Sequence, residues 1–311
     1  VTDADSPTSA DALTEVLRTI RLQASTFFRS ELSSPWGMTL FMSHEPRFHI
    51  VVEGSAWLSL LDHDMPVRLD RGDIAVIPNG AAHWIADDPE TERVLSDEAT
   101  EALEAGAPLF QGTTVHCRLI CGLFHFELDE PHPLMATLQE PLIWKARSAA
   151  QDAWVEHLIQ ALYDELGSDR PGAVAIADRY CEVLLVHLLR HHRDLAGTPS
   201  GFFRGLQAPT ISKALNAFHA APQKEWTLQT LSRIAGVSRS VFAERFRELV
   251  GVTPMSYVTT WRMQKARGLL MYRDVPIKEV AEQVGYSSTA SFSRAYKRVF
   301  GATPGTLQSG K

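Results

Sequence analysis

Cysteine is scarce in this chain: three among 311 residues, an odd number, so no disulfide framework is expected. Long apolar runs are also lacking. No stretch reaches the roughly 20 residues needed to cross a bilayer, and no membrane partner is expected. The first residues show no basic region leading into an apolar run and a cleavage site, so the expected location is cytoplasmic. Basic charge is in deficit, with 30 Lys+Arg against 37 Asp+Glu and a net charge of −7, which taken whole argues against a nucleic-acid binder. The whole-chain figure conceals a reversal of sign. Residues 207–311 hold fifteen basic and six acidic side chains, a net of +9, which leaves −16 for residues 1–206. A basic C-terminal part tied to an acidic N-terminal part fits a DNA-binding domain joined to one that does not touch DNA.

What is present is an ordinary globular composition, 45% apolar and 22% charged, in a chain long enough for two domains. Its last hundred residues carry one pattern twice. Leu231 to Phe242, with Phe246 and the tail Gly251-Val-Thr-Pro254, is echoed by Val280 to Phe292, with Tyr296 and Gly301-Ala-Thr-Pro304. Each copy reads as a short amphipathic helix, a turn on Gly236 or Gly285, a Ser two residues later as N-cap, and a second helix with an apolar inner face. That is a helix-turn-helix, present twice.

Around the copies, a helix is predicted from Thr210 to Ala221 with Ile211, Leu215 and Phe218 on one face, and Thr227 caps the next. Phe242, Phe246 and Leu249 should face inward in the first copy, and Phe292, Tyr296 and Val299 in the second. A long helix over 255–271, with Tyr257, Trp261, Ala266 and Leu270 apolar, connects them. Pro276 opens the helix after it. The outward residues left to DNA are Arg239, Ser240, Ala243, Glu244 and Arg247 in the first copy and Thr289, Ala290, Ser291 and Arg294 in the second, with Lys297 and Arg298 on the phosphate backbone. Glu244 has two open readings: acceptor for a cytosine amino group, or surface partner of Arg239 or Arg247.

Residues 209–307 resemble the DNA-binding domain of the AraC/XylS family of bacterial transcription regulators. The resemblance rests on the paired punctuation, on Gly285-Tyr-Ser with Phe292-Ser-Arg-Ala-Tyr296, and on Phe300-Gly-Ala-Thr-Pro304. It implies that two second helices enter successive major grooves about 34 Å apart. By position, Ser240, Ala243 and Glu244 match base-reading residues of the first unit, and Thr289, Ala290, Ser291 and Arg294 those of the second.

The N-terminal half alternates in short apolar runs, such as Phe48–Val52, Ala56–Leu61 and Asp73–Ile77, separated by turn residues, which predicts a sandwich or barrel. Gly72 to His83 is similar to the second motif of the cupin superfamily, with Pro78, Gly80 and His83 in register and Asp87 at that motif's usual Asn. His49 and Glu53 match part of the first cupin motif, but Arg47 stands where its first His belongs. A strand over 115–126 turns Cys117, Cys121 and His125 to one side. The resemblance to cupin-type sensor domains of some AraC-like regulators favours Cys121 as an interior residue. His49, His83 and Cys121 could then hold Zn²⁺ or a related divalent metal. Equally open is a pair of hydrogen-bonded interior histidines beside a small buried Cys. The wider effector pocket is read as His49, Glu53, His83, Cys121 and His125. Cys117 and Cys121, about 13 Å apart along a strand at ~3.3 Å per residue, are too far apart for a disulfide.

Residues 87–114 carry eight acidic side chains and read as a solvated insertion, either a plain loop or a lid. Helices are expected over 149–166 and 172–195. The second is apolar on more than one face, which suits either a homodimer or burial within one subunit. The expected fold class is α+β with two domains: a cupin-like β-barrel over 1–147, a helical coupling or dimerisation segment over 148–195, a linker over 196–208, and a double helix-turn-helix over 209–311. The expected function is a transcription regulator, activator or repressor, controlled by a small molecule or metal, with double-stranded promoter DNA, RNA polymerase and a second copy as partners. The alternative is a metal-dependent cupin enzyme fused to a DNA-binding module.

Overall fold

A computed structural model describes residues 12–15, 22–43, 45–62, 65–104, 110, 114–126, 141–146, 153–194, 202–272 and 275–308. The chain divides into two compact units. Strands and helices up to residue 192 make the first, and the helices beyond make the second, joined there by Ala12, whose amide N–H donates to Asn216 Oδ1 at 2.9 Å.

The first unit is β-rich. Its strands are β1 Leu22–Leu32, β2 Gly37–Leu40, β3 Arg47–Glu53, β4 Ser55–Leu60, β5 Val67–Asp70, β6 Ile74–Ile77, β7 His83–Ala86, β8 Val94–Leu95, β9 Cys117–Phe126 and β10 Leu142–Trp144. They form two five-stranded sheets, ordered β1-β9-β3-β6-β10 and β5-β4-β7-β2-β8, in place of one closed barrel. Antiparallel register puts His49 opposite both Ala75 and Cys121, and His83 opposite both Leu40 and Leu60. Alternate residues therefore share the space between the sheets. Val51, Ala75, Ile77, Leu119 and Cys121 from one sheet meet Met38, Ala56, Leu58, Leu69 and Ile85 from the other in a single buried cluster.

The acidic insertion is more ordered than its composition suggested. β8 pairs parallel to β2, and α1 (Ser96–Glu104) turns Ala99 into the inter-sheet core, 2% exposed, while Asp97, Glu98 and Glu101 face solvent. A single small residue in an acidic helix leaves almost no periodic signal. Two helices follow, α2 (Ala153–Leu166) and α3 (Ala173–Asp194). α2 buries Val155, Ile159, Leu162 and Tyr163, and Trp154 stays half-exposed. α3 lays Cys181, Leu184, Leu185 and Leu188 against Phe48, Ile50, Ile74, Val76 and Phe124, the outer face of the first sheet. Its other side leaves Val174, Ile176 and Val183 exposed, at 66%, 41% and 48%.

The second unit is all helix: α4 Phe202–Gln207, α5 Pro209–Ala220, α6 Leu228–Ala235, α7 Arg239–Val250, α8 Pro254–Tyr272, α9 Ile277–Gln283, α10 Thr289–Phe300 and α11 Pro304–Gln308. Residues 202–207 were expected as linker. They form α4 because Phe202 buries its ring beside His219 and Tyr257. The stripe Phe242, Phe246, Val250 continues at fourfold spacing, so Val250 and not Leu249 completes the inner face of α7. α8 buries all four of its expected apolar positions, Tyr257, Trp261, Ala266 and Leu270. Among the described residues no helix is long and apolar enough to cross a membrane.

Candidate nucleic-acid interface and interior histidine–cysteine cluster

α6 and α7 form the first helix-turn-helix. Thr227 and Thr230 make a reciprocal capping box at the start of α6, and Ser238 caps α7 by accepting from the Val241 amide. Phe242 and Phe246 anchor α7, with Phe246 5.7 Å from the Tyr257 ring on α8. With the inner face committed, the opposite face carries Arg239, Ser240, Glu244 and Arg247 exposed and Ala243 half-buried. Glu244 makes no ion pair with Arg239 or Arg247 among the described residues, which leaves it available to a base edge.

The second unit repeats this geometry on α9 and α10. Its cap is Ser288, not the Ser two positions after the turn glycine: Ser288 Oγ accepts from the Ser291 amide at 3.2 Å. Tyr286 holds the place of Val237, the amide of each closing on the carbonyl five residues back, so the extra residue is Ser287, and the Tyr286 ring turns in against Phe292. Phe292, Ala295 and Tyr296 are buried with Val280, Ala281, Val284 and Leu270. Val299 is only half-buried. Thr289, Ala290, Arg294, Lys297 and Arg298 are exposed, Ser291 is half-buried, and Arg294 Nη2 donates to Ser291 Oγ at 3.3 Å. Each unit thus presents the polar and basic side chains expected of a major-groove reader on one helix face.

In the β unit, three of the expected interior residues meet. His83 Nδ1 lies 2.7 Å from the Ala81 carbonyl, which can only accept, so Nδ1 carries the proton and Nε2 is the acceptor. His49 Nε2, 2.8 Å away, must then donate to it, leaving His49 Nδ1 to accept from the Cys121 thiol at 3.0 Å. One carbonyl orients the whole row. Burial holds His49 well below its ordinary 6.5, helped by His83 and Arg47, and lowers His83 to about 4 against the opposing effect of its bond to Ala81. Burial also pushes the Cys121 thiol up, so the row is neutral.

The donors stand in a line and not around a point. His49 spends one ring nitrogen on Cys121 and the other on His83, and a single cation cannot use both nitrogens of one ring. The 2.8 Å between Nε2 atoms is also shorter than the roughly 3.3 Å between two nitrogens in a tetrahedral zinc shell. Among the described residues no three His, Cys, Asp or Glu are placed to hold a metal ion. As placed, His49, His83 and Cys121 form a hydrogen-bonded row. Glu53 leaves the pocket as well. A register shift between Val51 and Glu53 re-aims its carboxylate to the surface, where it pairs with Arg118. His125 pairs through its backbone with Gln23, and its side chain lies outside the described residues.

Arg47 is the interior residue that the motif comparison marked only as a departure. Its register with Ile77 turns it toward the same inter-sheet space, and its Nη1 is buried with no hydrogen-bond partner. The neutral row has a pH consequence. Above pH 6.5 folded and unfolded histidines are both neutral and nothing is lost. As pH falls from 6.5 through about 4, the unfolded chain takes up protons that folded His83 refuses, and that group alone costs about 3 kcal/mol. Thermal melts between pH 7.5 and 4.5 should show the β unit weakening faster in the wild type than in His83→Gln. Parallel pH profiles would discount the row.

A cupin family model matches residues 11–194, and a helix-turn-helix domain model matches residues 231–310. The chain is 28% identical over 303 residues to the HTH-type transcriptional regulator AlkR of Acinetobacter baylyi, covering 94% of this chain and 97% of that one. It is 30% identical over 297 residues to a putative AraC-like transcription regulator of Streptomyces lividans, covering 95% and 97%. Among solved structures, the C-terminal domain of AraT from Geobacillus stearothermophilus aligns at 26% identity with a TM-score of 0.32, over 34% of this chain and 88% of that one.

Proposed function

The chain belongs to the AraC-like transcription regulators, with a cupin domain ahead of a helix-turn-helix domain that binds double-stranded DNA, and from that premise we propose how its residues divide the work. α7 and α10 enter successive major grooves of a promoter. In α7, Ser240, Ala243 and Glu244 meet base edges, with Arg239 and Arg247 beside them. In α10, Thr289, Ala290, Ser291 and Arg294 meet base edges, with Lys297 and Arg298 on phosphate. The observation that carries this reading is the matched pair of serine-capped helices, each with its aromatic face buried and its polar face exposed, in a region of net charge +9.

The β unit responds to a small-molecule effector. The unpartnered Arg47 Nη1 beside the His49–His83 row supports that role, since it offers a buried donor to an acceptor group on the ligand. The regulator reading is preferred to an enzyme fused to a DNA-binding module because the relatives AlkR and the AraC-like protein of Streptomyces lividans carry regulator names. The exposed Val174, Ile176 and Val183 on α3 support self-association, and RNA polymerase is the partner through which an activator acts.

Arg294→Ala tests the assignment. Its guanidinium is exposed and already oriented by Ser291, so its loss should weaken operator binding by about 1–3 kcal/mol and relax preference at one base position. Lys297→Ala should instead weaken all sequences alike and reduce the salt slope by about one. Binding titrations on operator variants at several salt concentrations separate the two. Unchanged base preference in Arg294→Ala removes it from the readout.

A further inference from the structure

Arg262 lies near the middle of α8, the helix joining the two DNA-reading units, and faces neither recognition surface. Its Nε donates to the Pro222 carbonyl at 2.9 Å and its Nη2 to the Lys224 carbonyl at 2.5 Å, both in the loop that leads into the first unit. Trp226 Nε1 closes that same loop onto the Ala221 carbonyl at 2.9 Å. On its other side, the Arg262 guanidinium sits over the ring of Tyr286, 5.8 Å from the centroid, in the turn of the second unit. Gly285 completes the junction. A Cβ built there would lie 2.5 Å from the Gln223 carbonyl oxygen and 2.8 Å from Arg262 Nη2, so only glycine, at φ +83°, lets this turn touch the opposite loop.

We infer that Arg262 is a positioning residue that braces the loop of the first unit against the turn of the second and so sets which separation of DNA boxes the protein accepts. The reason is mechanical. Each unit packs separately on α8, the first around Tyr257 and Trp261 and the second around Ala266 and Leu270, and without the brace a bend of that helix between them would turn one unit relative to the other. With it, two backbone carbonyls of one unit and an aromatic ring of the other share one planar cation, whose rigid fork suits simultaneous contacts. A mutual pose settled before binding spares the ordering that DNA would otherwise have to impose. Partial burial lowers the Arg262 pKa from its usual value, in keeping with a guanidinium turned toward protein carbonyls.

This inference rests on the two-reader function proposed above. The experiment is selection from a random duplex library with the full-length protein and with Arg262→Met, which keeps the apolar stem and removes the fork. Wild type should enrich paired boxes at one separation. Arg262→Met should bind that separation about tenfold more weakly and should hold nearly equal affinity for separations one base pair longer or shorter, with base preference inside each box and salt slope unchanged. Arg262→Lys, able to reach a carbonyl, should recover part of the spacing preference. Tyr286→Leu removes the other arm of the brace and should relax the spacing in the same way, which keeps the test open if Arg262→Met folds poorly. Weaker binding with the same single separation overturns the inference, as does a salt slope reduced by about one, the mark of a phosphate contact. A wild type that enriches no paired boxes overturns the two-reader function itself.

Discussion

Phe292→Ala should abolish operator binding while leaving the β unit folded. Phe292 is fully buried on the inner face of α10, with the rings of Tyr286 and Tyr296 at 5.9 and 5.7 Å. Truncating a fully enclosed phenylalanine costs about 3–5 kcal/mol, from lost transfer energy and from the cavity left behind. That is a large share of the roughly 5–15 kcal/mol that holds a whole domain together, and here it falls on one half of a small one. One of the two groove contacts should go, and operator affinity with it, by at least about a hundredfold. Calorimetry should show the helical unit melting lower with the β unit unmoved. An α10 that melts as in wild type and still binds the operator would show that the core assigned to the second unit is wrong.

Gly80→Ala should have an effect of similar size in the other unit. Gly80 has φ +62° in the turn between β6 and β7, and its carbonyl accepts from the Ser43 amide at 2.9 Å. A Cβ at that position would meet the Glu45 carbonyl at 2.6 Å and the Ser43 carbonyl closer still, both backbone atoms with little freedom to retreat. Left-handed strain and steric overlap together should cost about 3–5 kcal/mol. The same turn presents Ala81, whose carbonyl orients His83, so the histidine row should lose its fixed direction. Heteronuclear spectra of the ring nitrogens report that directly, and melting within about a degree of wild type would rule out the strain.

The helical unit was largely legible in the sequence because its signals are local. Ser238 as cap, the Phe242–Phe246 stripe and the apolar positions of α8 each declare themselves within a few residues. What misled was one inserted residue. The second turn is longer by Ser287, so the cap moves to Ser288, and spacing alone cannot say which of two adjacent serines lies at the helix start. The β unit was harder. Its motif brought His49, His83 and Cys121 to one place, as expected, but whether donors converge on a point or stand in file depends on ring orientation, which no spacing records. Glu53 was misplaced by a strand irregularity with no sequence mark. Arg262 passed unnoticed for a different reason. Its partners are backbone carbonyls, which every residue possesses, and an arginine on a connecting helix reads as solvent-facing until the carbonyls are located.

The row from Cys121 to Ala81 has a mechanical meaning as well as an electrical one. Cys121 and His49 belong to one sheet and His83 to the other, so the 2.8 Å link between the histidines measures the gap between the sheets. Hydrogen bonds tolerate only a few tenths of an ångström of stretch, and a guest that parts the sheets by about one ångström breaks this one. With it each ring loses one partner, His83 Nε2 its donor and His49 Nε2 its acceptor, while His49 keeps Cys121 and His83 keeps Ala81. The interior therefore behaves as a gauge with a threshold. Below that width the row is whole, and above it two buried ring nitrogens stand unpaired while the apolar cluster still joins the sheets.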